Sequence, residues 1–88
     1  MPSSTTPKVR FYYTYVLESL KDGENYVGYT TNLYSRMKAH QRGLSFATKS
    51  RTPLRLIYCE ACLNKDDAMR RERFLKSSEG RFYIKRRL

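Results

Sequence analysis

Cysteine and histidine are scarce in this chain, and that scarcity narrows its chemistry. Two cysteines, Cys59 and Cys62, and one histidine, His40, stand among 88 residues. A closed zinc site wants four such ligands, and these do not fill one. The C-x-x-C spacing suits a thioredoxin-like centre only at the start of a helix in a redox fold. Here the pair follows Leu54-Arg55-Leu56-Ile57-Tyr58, which reads as a strand. In a strand that runs on, positions three apart face opposite ways, so Cys59 and Cys62 are expected to be reduced, structural thiols. Long apolar runs are missing too. No stretch approaches the ~20 residues that span a bilayer. Residues Met1 to Lys8 lack the apolar core of a secretory signal. An intracellular, soluble, cytoplasmic protein is expected. Acidic residues are also few: 8 Asp and Glu face 18 Lys and Arg, for a net charge of +10. Such a surplus favours a polyanionic partner, most often nucleic acid.

A chain of this length has room for one small domain. Pro2-Ser3-Ser4-Thr5-Thr6-Pro7 reads as disordered, giving a lead-in over residues 1–9, a single domain over 10–80 and a basic tail over 81–88. Phe11 to Ser19 is aromatic and β-branched and reads as a strand. Asp22-Gly23 signals a turn, and Asn25 to Thr30 reads as a second strand, completing a hairpin. Tyr13 and Tyr15 share one face of the first strand; Tyr12, Thr14 and Val16 share the other. Thr31 or Asn32 can cap a helix running from Leu33 through Arg42, with Gly43 at its end. Leu33, Met37 and His40 form its apolar stripe, with Arg36 beside it. A polar loop over Leu44 to Pro53 leads into a strand from Leu54 to about Glu60. Asn64 can cap a second helix, with Asp66 and Asp67 in its first turn. That helix is expected to run to about Ser77 and to be broken by Gly80.

Glu72 borders the apolar stripe of the second helix, with Ala68 and Leu75 at i−4 and i+3. A carboxylate turned towards a core is costly unless paired or bound to a cation. One reading is an ion pair with an arginine such as Arg36. The other is a ligand for Mg²⁺, which often takes one or two protein carboxylates and keeps several waters. Arg36, constrained between Leu33 and Met37, offers a planar fork that matches phosphate. His40, four residues on, falls within reach of the same substrate. Tyrosine is abundant, with eight copies, and tyrosines fill cores or stack on bases as well as moving protons. Tyr15 and Tyr26 sit on adjacent strands of the hairpin. A neighbouring metal and several cations would make a phenol a workable base. Gly28, just after Tyr26-Val27, reads as a bulge or a close backbone approach. From residues alone, the chain is a basic α+β domain with a candidate metal-assisted phosphoryl site.

Tyr13-Thr14-Tyr15, Tyr26-Val27-Gly28, Gly28 through Leu33 into Arg36, the Arg36–His40 spacing and Ala68 to Glu72 occur in an order that resembles the GIY-YIG nuclease family, notably its small stand-alone bacterial members. The resemblance runs from about Phe11 to Ser77. It implies a three-stranded antiparallel sheet flanked by helices, in the order β-β-α-β-α. It also implies roles. Tyr15 would hydrogen-bond the attacking water or its partner, and Tyr26 would be the general base. Arg36 would stabilise the pentacovalent phosphate. His40 would assist proton transfer or bind phosphate, and Glu72 would hold one Mg²⁺ or Mn²⁺. Tyr13 stands where larger members have glycine, and no separate DNA-binding domain is evident, so recognition would fall to this surface, a homodimer or a protein partner. Lys38, Lys49, Arg51, Arg70 and Arg73 are the candidate phosphate contacts, giving affinity without sequence choice.

The expected function is metal-dependent endonuclease cleavage of DNA, in repair or recombination. The alternative is a non-catalytic module of the same fold that binds DNA or RNA. A third reading makes Glu72 and Arg36 a structural ion pair in a protein-interaction domain.

Overall fold

The Asp22-Gly23 turn closes the hairpin through glycine's access to a left-handed backbone: Gly23 has φ of 75°, and the Ser19 amide donates to the Glu24 carbonyl at 2.9 Å. In the computed structural model, which describes residues 9–88, this turn joins β1 (Tyr12–Ser19) to β2 (Asn25–Thr30). The expected lead-in lies, apart from its last residue, outside the described residues. The third strand, β3 (Leu54–Cys62), pairs antiparallel with the other side of β1, so the order is β2-β1-β3 and β1 is central. Its register shifts once, opposite Val16 and Leu17, where Ile57 is the extra residue of a bulge. The strand does run on through Cys62. Cys59 pairs with Tyr15 and Cys62 with Tyr12, so the two thiols point to opposite faces, and both are free.

Because β1 is central and covered on both sides, residues Thr14 to Leu17 are all buried. On one face Tyr15, Leu17 and Leu54 pack with Leu33 and Met37 of α1 (Leu33–Gln41). On the other, Val16 and Val27 pack with Leu75 of α2 (Lys65–Lys76) and Ile84 of α3 (Ser78–Lys85). Each fully buried aliphatic side chain contributes about 1.5–3 kcal/mol of transfer free energy. Asn32 caps α1 by accepting from the Ser35 amide, and Asn64 caps α2 by accepting from Asp66 and Asp67. Gly43, with φ of 72°, ends α1.

The segment beyond Ser77 corrects the sequence reading. Gly80 does not break the second helix, and residues 81–88 are not simply a tail. Ser77 ends α2 and starts α3: its hydroxyl donates to the Phe74 carbonyl and accepts from the Gly80 amide at 3.1 Å. Gly80 is buried where α3 meets α2, against Phe74 and Leu75. The two helices are then fastened to β3. Arg71 donates two hydrogen bonds to Glu60, at 2.6 and 3.0 Å, with its guanidinium over the rings of Phe74 and Tyr83. No helix among the described residues is long and apolar enough to cross a membrane.

Candidate active site

Strand pairing sets Tyr15 directly across from Gly28, and Leu17 across from Tyr26. Gly28 is a close approach rather than a bulge: a Cβ there would stand 2.6 Å from the Tyr15 hydroxyl oxygen. Tyr15 therefore lies over bare backbone and extends towards α1, which presents His40. The Tyr15 hydroxyl is 3.0 Å from His40 Nε2, and His40 Nδ1 is 2.7 Å from Thr48 Oγ1. Tyr26 completes the group. Ring centroids are 6.4 Å apart for Tyr15–Tyr26, 5.7 Å for Tyr15–His40 and 5.4 Å for Tyr26–His40, all within aromatic contact range.

Depth differs sharply within this group. Tyr15, His40 and Thr48 are 0, 1 and 0 % exposed, whereas Tyr26 is only half-buried. Burial, reinforced by Tyr26, pushes the Tyr15 phenol up to about 12, although the Arg36 guanidinium pulls against it. Burial, and then the Arg36 charge, push His40 below its usual range. At neutral pH the phenol thus keeps its proton and His40 is uncharged. The neutral ring carries a single N–H, so it donates to one of Tyr15 and Thr48 and accepts from the other.

The two charged residues act from opposite sides. Arg36, on α1, is exposed and its positive charge reaches both Tyr15 and His40. Glu72, on α2, is near enough that its negative charge also raises the Tyr15 phenol. Its side chain is 21 % exposed and pairs with Lys76 Nζ at 3.4 Å, not with Arg36. Among the described residues no cluster of three or more His, Cys, Asp or Glu forms a ready-made metal cage. A lone, partly accessible carboxylate with a weak partner fits a hydrated divalent cation whose remaining ligands are water and substrate phosphate.

The five cations expected at phosphates do not share one surface. Lys38 is exposed on α1, over the Tyr34 ring at 5.1 Å. Lys49 follows α1, over Phe46 at 5.0 Å. Arg51 lies by the hairpin turn, 3.7 Å from Asp22 Oδ2. Arg70 and Arg73 are exposed on α2, where Arg70 pairs with Asp67. Thr48 went unnoticed in the sequence, since a lone threonine in a polar loop carries no local signal of a buried partner.

The sequence matches the model of the GIY-YIG catalytic domain over residues 11–86. It is 42% identical over 65 residues to a UPF0213 protein of Streptococcus pneumoniae serotype 4, covering 73% of this chain and 65% of that relative, just under two thirds of its length. A UPF0213 protein of Streptococcus agalactiae serotype V is 43% identical over 65 residues, with 73% of each chain covered. The solution NMR structure of a UPF0213 protein from Bacillus halodurans superposes with a TM-score of 0.54 at 38% identity, covering 84% of this chain and 81% of that one.

Proposed function

The chain belongs to the GIY-YIG catalytic domain family, and on that premise we propose that it is a metal-dependent endonuclease hydrolysing DNA phosphodiester bonds, in repair or recombination. The observation that supports this best is the packed Tyr15–Tyr26–His40 ring cluster, with Arg36 and Glu72 near enough for both charges to act on the Tyr15 phenol.

Tyr26 is the phenol shallow enough to meet an attacking water. In hydrolysis the water oxygen bonds to phosphorus and the bridging P–O bond breaks. Tyr26 takes the water's proton as the general base, and the leaving oxygen is protonated from solvent. Arg36 places its fork against the oxygens on which charge develops. Tyr15 and His40 act behind this surface. Buried and hydrogen-bonded to each other, they pack against the ring of Tyr26 and hold it in place. His40 is too deep to contact phosphate itself. Glu72 would hold the Mg²⁺ or Mn²⁺, which when bound neutralises the scissile phosphate and its leaving oxygen.

The test is cleavage of single-stranded, nicked and branched DNA with Mg²⁺ or Mn²⁺, beside a Glu72→Gln variant. Loss of about 10²-fold or more is expected on removing a transition-state charge partner. Equal activity in both proteins would overturn the proposal. The second reading, a non-catalytic DNA- or RNA-binding module, draws on the complete burial of the Tyr15 hydroxyl. It requires salt-sensitive binding that ignores metal and survives Glu72→Gln.

A further inference from the structure

Beside Arg36 lies a cavity of about 520 Å³ between the start of β1, the end of β2 and the first turns of α1 and α2. Arg10, Tyr12, Tyr29, Thr30, Arg36 and Lys65 line it. Its size is that of a small-ligand site, commonly ~300–1,000 Å³. Three cations face it, no carboxylate lines it, and none of the three takes part in an ion pair among the described residues. Among the described residues Arg51, Arg55, Arg70, Arg71 and Lys76 have acidic partners, whereas these three, like Lys38, Lys49 and Arg73, have none. Like charges gathered around a concavity repel one another and concentrate anions there. The two tyrosines are the other half of the lining. Tyr29 pairs with Thr14, and Tyr12 lies two residues before Thr14, so both side chains stand on one face of the sheet. Both are half-buried and line the cavity.

Phosphate-seeking cations and aromatic rings in one concavity match the two ends of a nucleotide. We propose that this cavity receives a nucleotide of the substrate strand that flanks the bond to be cut. Its phosphate sits among Arg10, Arg36 and Lys65, and its unpaired base lies against Tyr12 and Tyr29. The position along the strand follows from the helix. Lys65 and Glu72 are seven residues apart on α2, two turns and on one side, hence about 10.5 Å along the axis. That separation suits neighbouring phosphates along one strand. Arg36 belongs to both sites and joins them. The substrate class rests on the nuclease reading above, whereas the cavity itself can be tested without cleavage.

The experiment uses the full chain carrying Glu72→Gln, without metal, and a fluorescent ten-nucleotide single-stranded DNA. Anisotropy is followed between 50 and 200 mM salt. Added Lys65→Ala should weaken binding and make the logarithmic salt slope shallower by about 0.7, the share of one phosphate contact on a single strand. Added Tyr29→Leu should weaken binding about tenfold and leave the slope unchanged. Lys85→Ala, at the end of α3, is the control for general charge. Equal losses for Lys65→Ala and Lys85→Ala, or no loss for a folded Tyr29→Leu, would overturn the cavity assignment and leave the nuclease reading intact. No binding at all by the parent would overturn both.

Discussion

Gly28 lies directly beneath the Tyr15 ring: a Cβ added to Gly28 would stand 2.6 Å from the phenol oxygen and 2.8 Å from Cζ. The missing side chain is what allows Tyr15 to cross its partner strand and reach His40. Tyr15 has no exposed surface and no room to yield. Gly28→Ala should therefore break the Tyr15–His40 hydrogen bond and cost about 1–3 kcal/mol, the usual penalty of overpacking. The denaturant midpoint measures the cost, and the His40 ring resonances report the broken bond. An unchanged midpoint with unshifted His40 signals would show that the ring has an alternative seat.

His40 gives the fold an acid-sensitive element. Its value in the folded state lies below the ordinary 6.5, because burial and then the Arg36 charge oppose the cation. The unfolded chain accordingly takes up the proton first as pH falls. Stability contributed by the neutral ring is complete above about pH 6.5 and is lost progressively below it. Denaturant titrations at pH 7.5 and pH 5 should differ in that direction. The difference should shrink in Tyr15→Phe/His40→Leu, which removes both partners of the bond together. A slope that survives this double substitution would assign the acid sensitivity to the carboxylates.

Glu72 and Arg71 are adjacent on α2 and should respond oppositely to substitution. Glu72 makes one 3.4 Å pair with a Lys76 that is more than half exposed, and such i,i+4 pairs contribute about 0.3–0.5 kcal/mol. Glu72→Gln should barely change stability while removing metal-dependent cleavage. Arg71 makes two hydrogen bonds to Glu60 and lies over two aromatic rings. Arg71→Ala should cost about 1.5–3 kcal/mol, the scale for charged hydrogen bonds, with kcat changed little while the protein remains folded. Thermal melts and initial rates on the two variants decide this. A large stability loss in Glu72→Gln would favour a structural carboxylate over a metal ligand.

Much of the fold is legible locally. The Asp22-Gly23 turn, the Asn32 and Asn64 caps, and the alternation that parts Tyr15 from Thr14 and Val16 each depend on residues close in sequence. The ring cluster is legible in part, since Tyr15, Tyr26 and His40 belong to short motifs. Contacts across the chain left no such trace. Thr48 reaches His40 through a loop whose path the sequence does not reveal, and Glu60 meets Arg71 only when α2 folds back onto β3. Glu72 could be placed at the edge of a helical stripe, yet its partner proved to be Lys76. Gly80 was misread because helix propensity penalises glycine, whereas close helix contact requires it here.

That misreading yields the most direct test of the packing of α3. By propensity alone, Gly80→Ala should stabilise a helix by about 1 kcal/mol. In the folded protein the added methyl would collide with the Phe74 carbonyl and lie 2.5 Å from Leu75 Cα. Both are backbone atoms and cannot rotate aside. The collision would lever α3 away from α2 and withdraw Ile84 from its contact with Val16, Val27 and Leu75. Overpacking against a rigid neighbour outweighs the propensity gain, and a net loss of about 2 kcal/mol or more is expected. For a domain of this size that corresponds to a fall in Tm of at least about 8 °C. A Tm that instead rises would mean that α3 is not docked on α2.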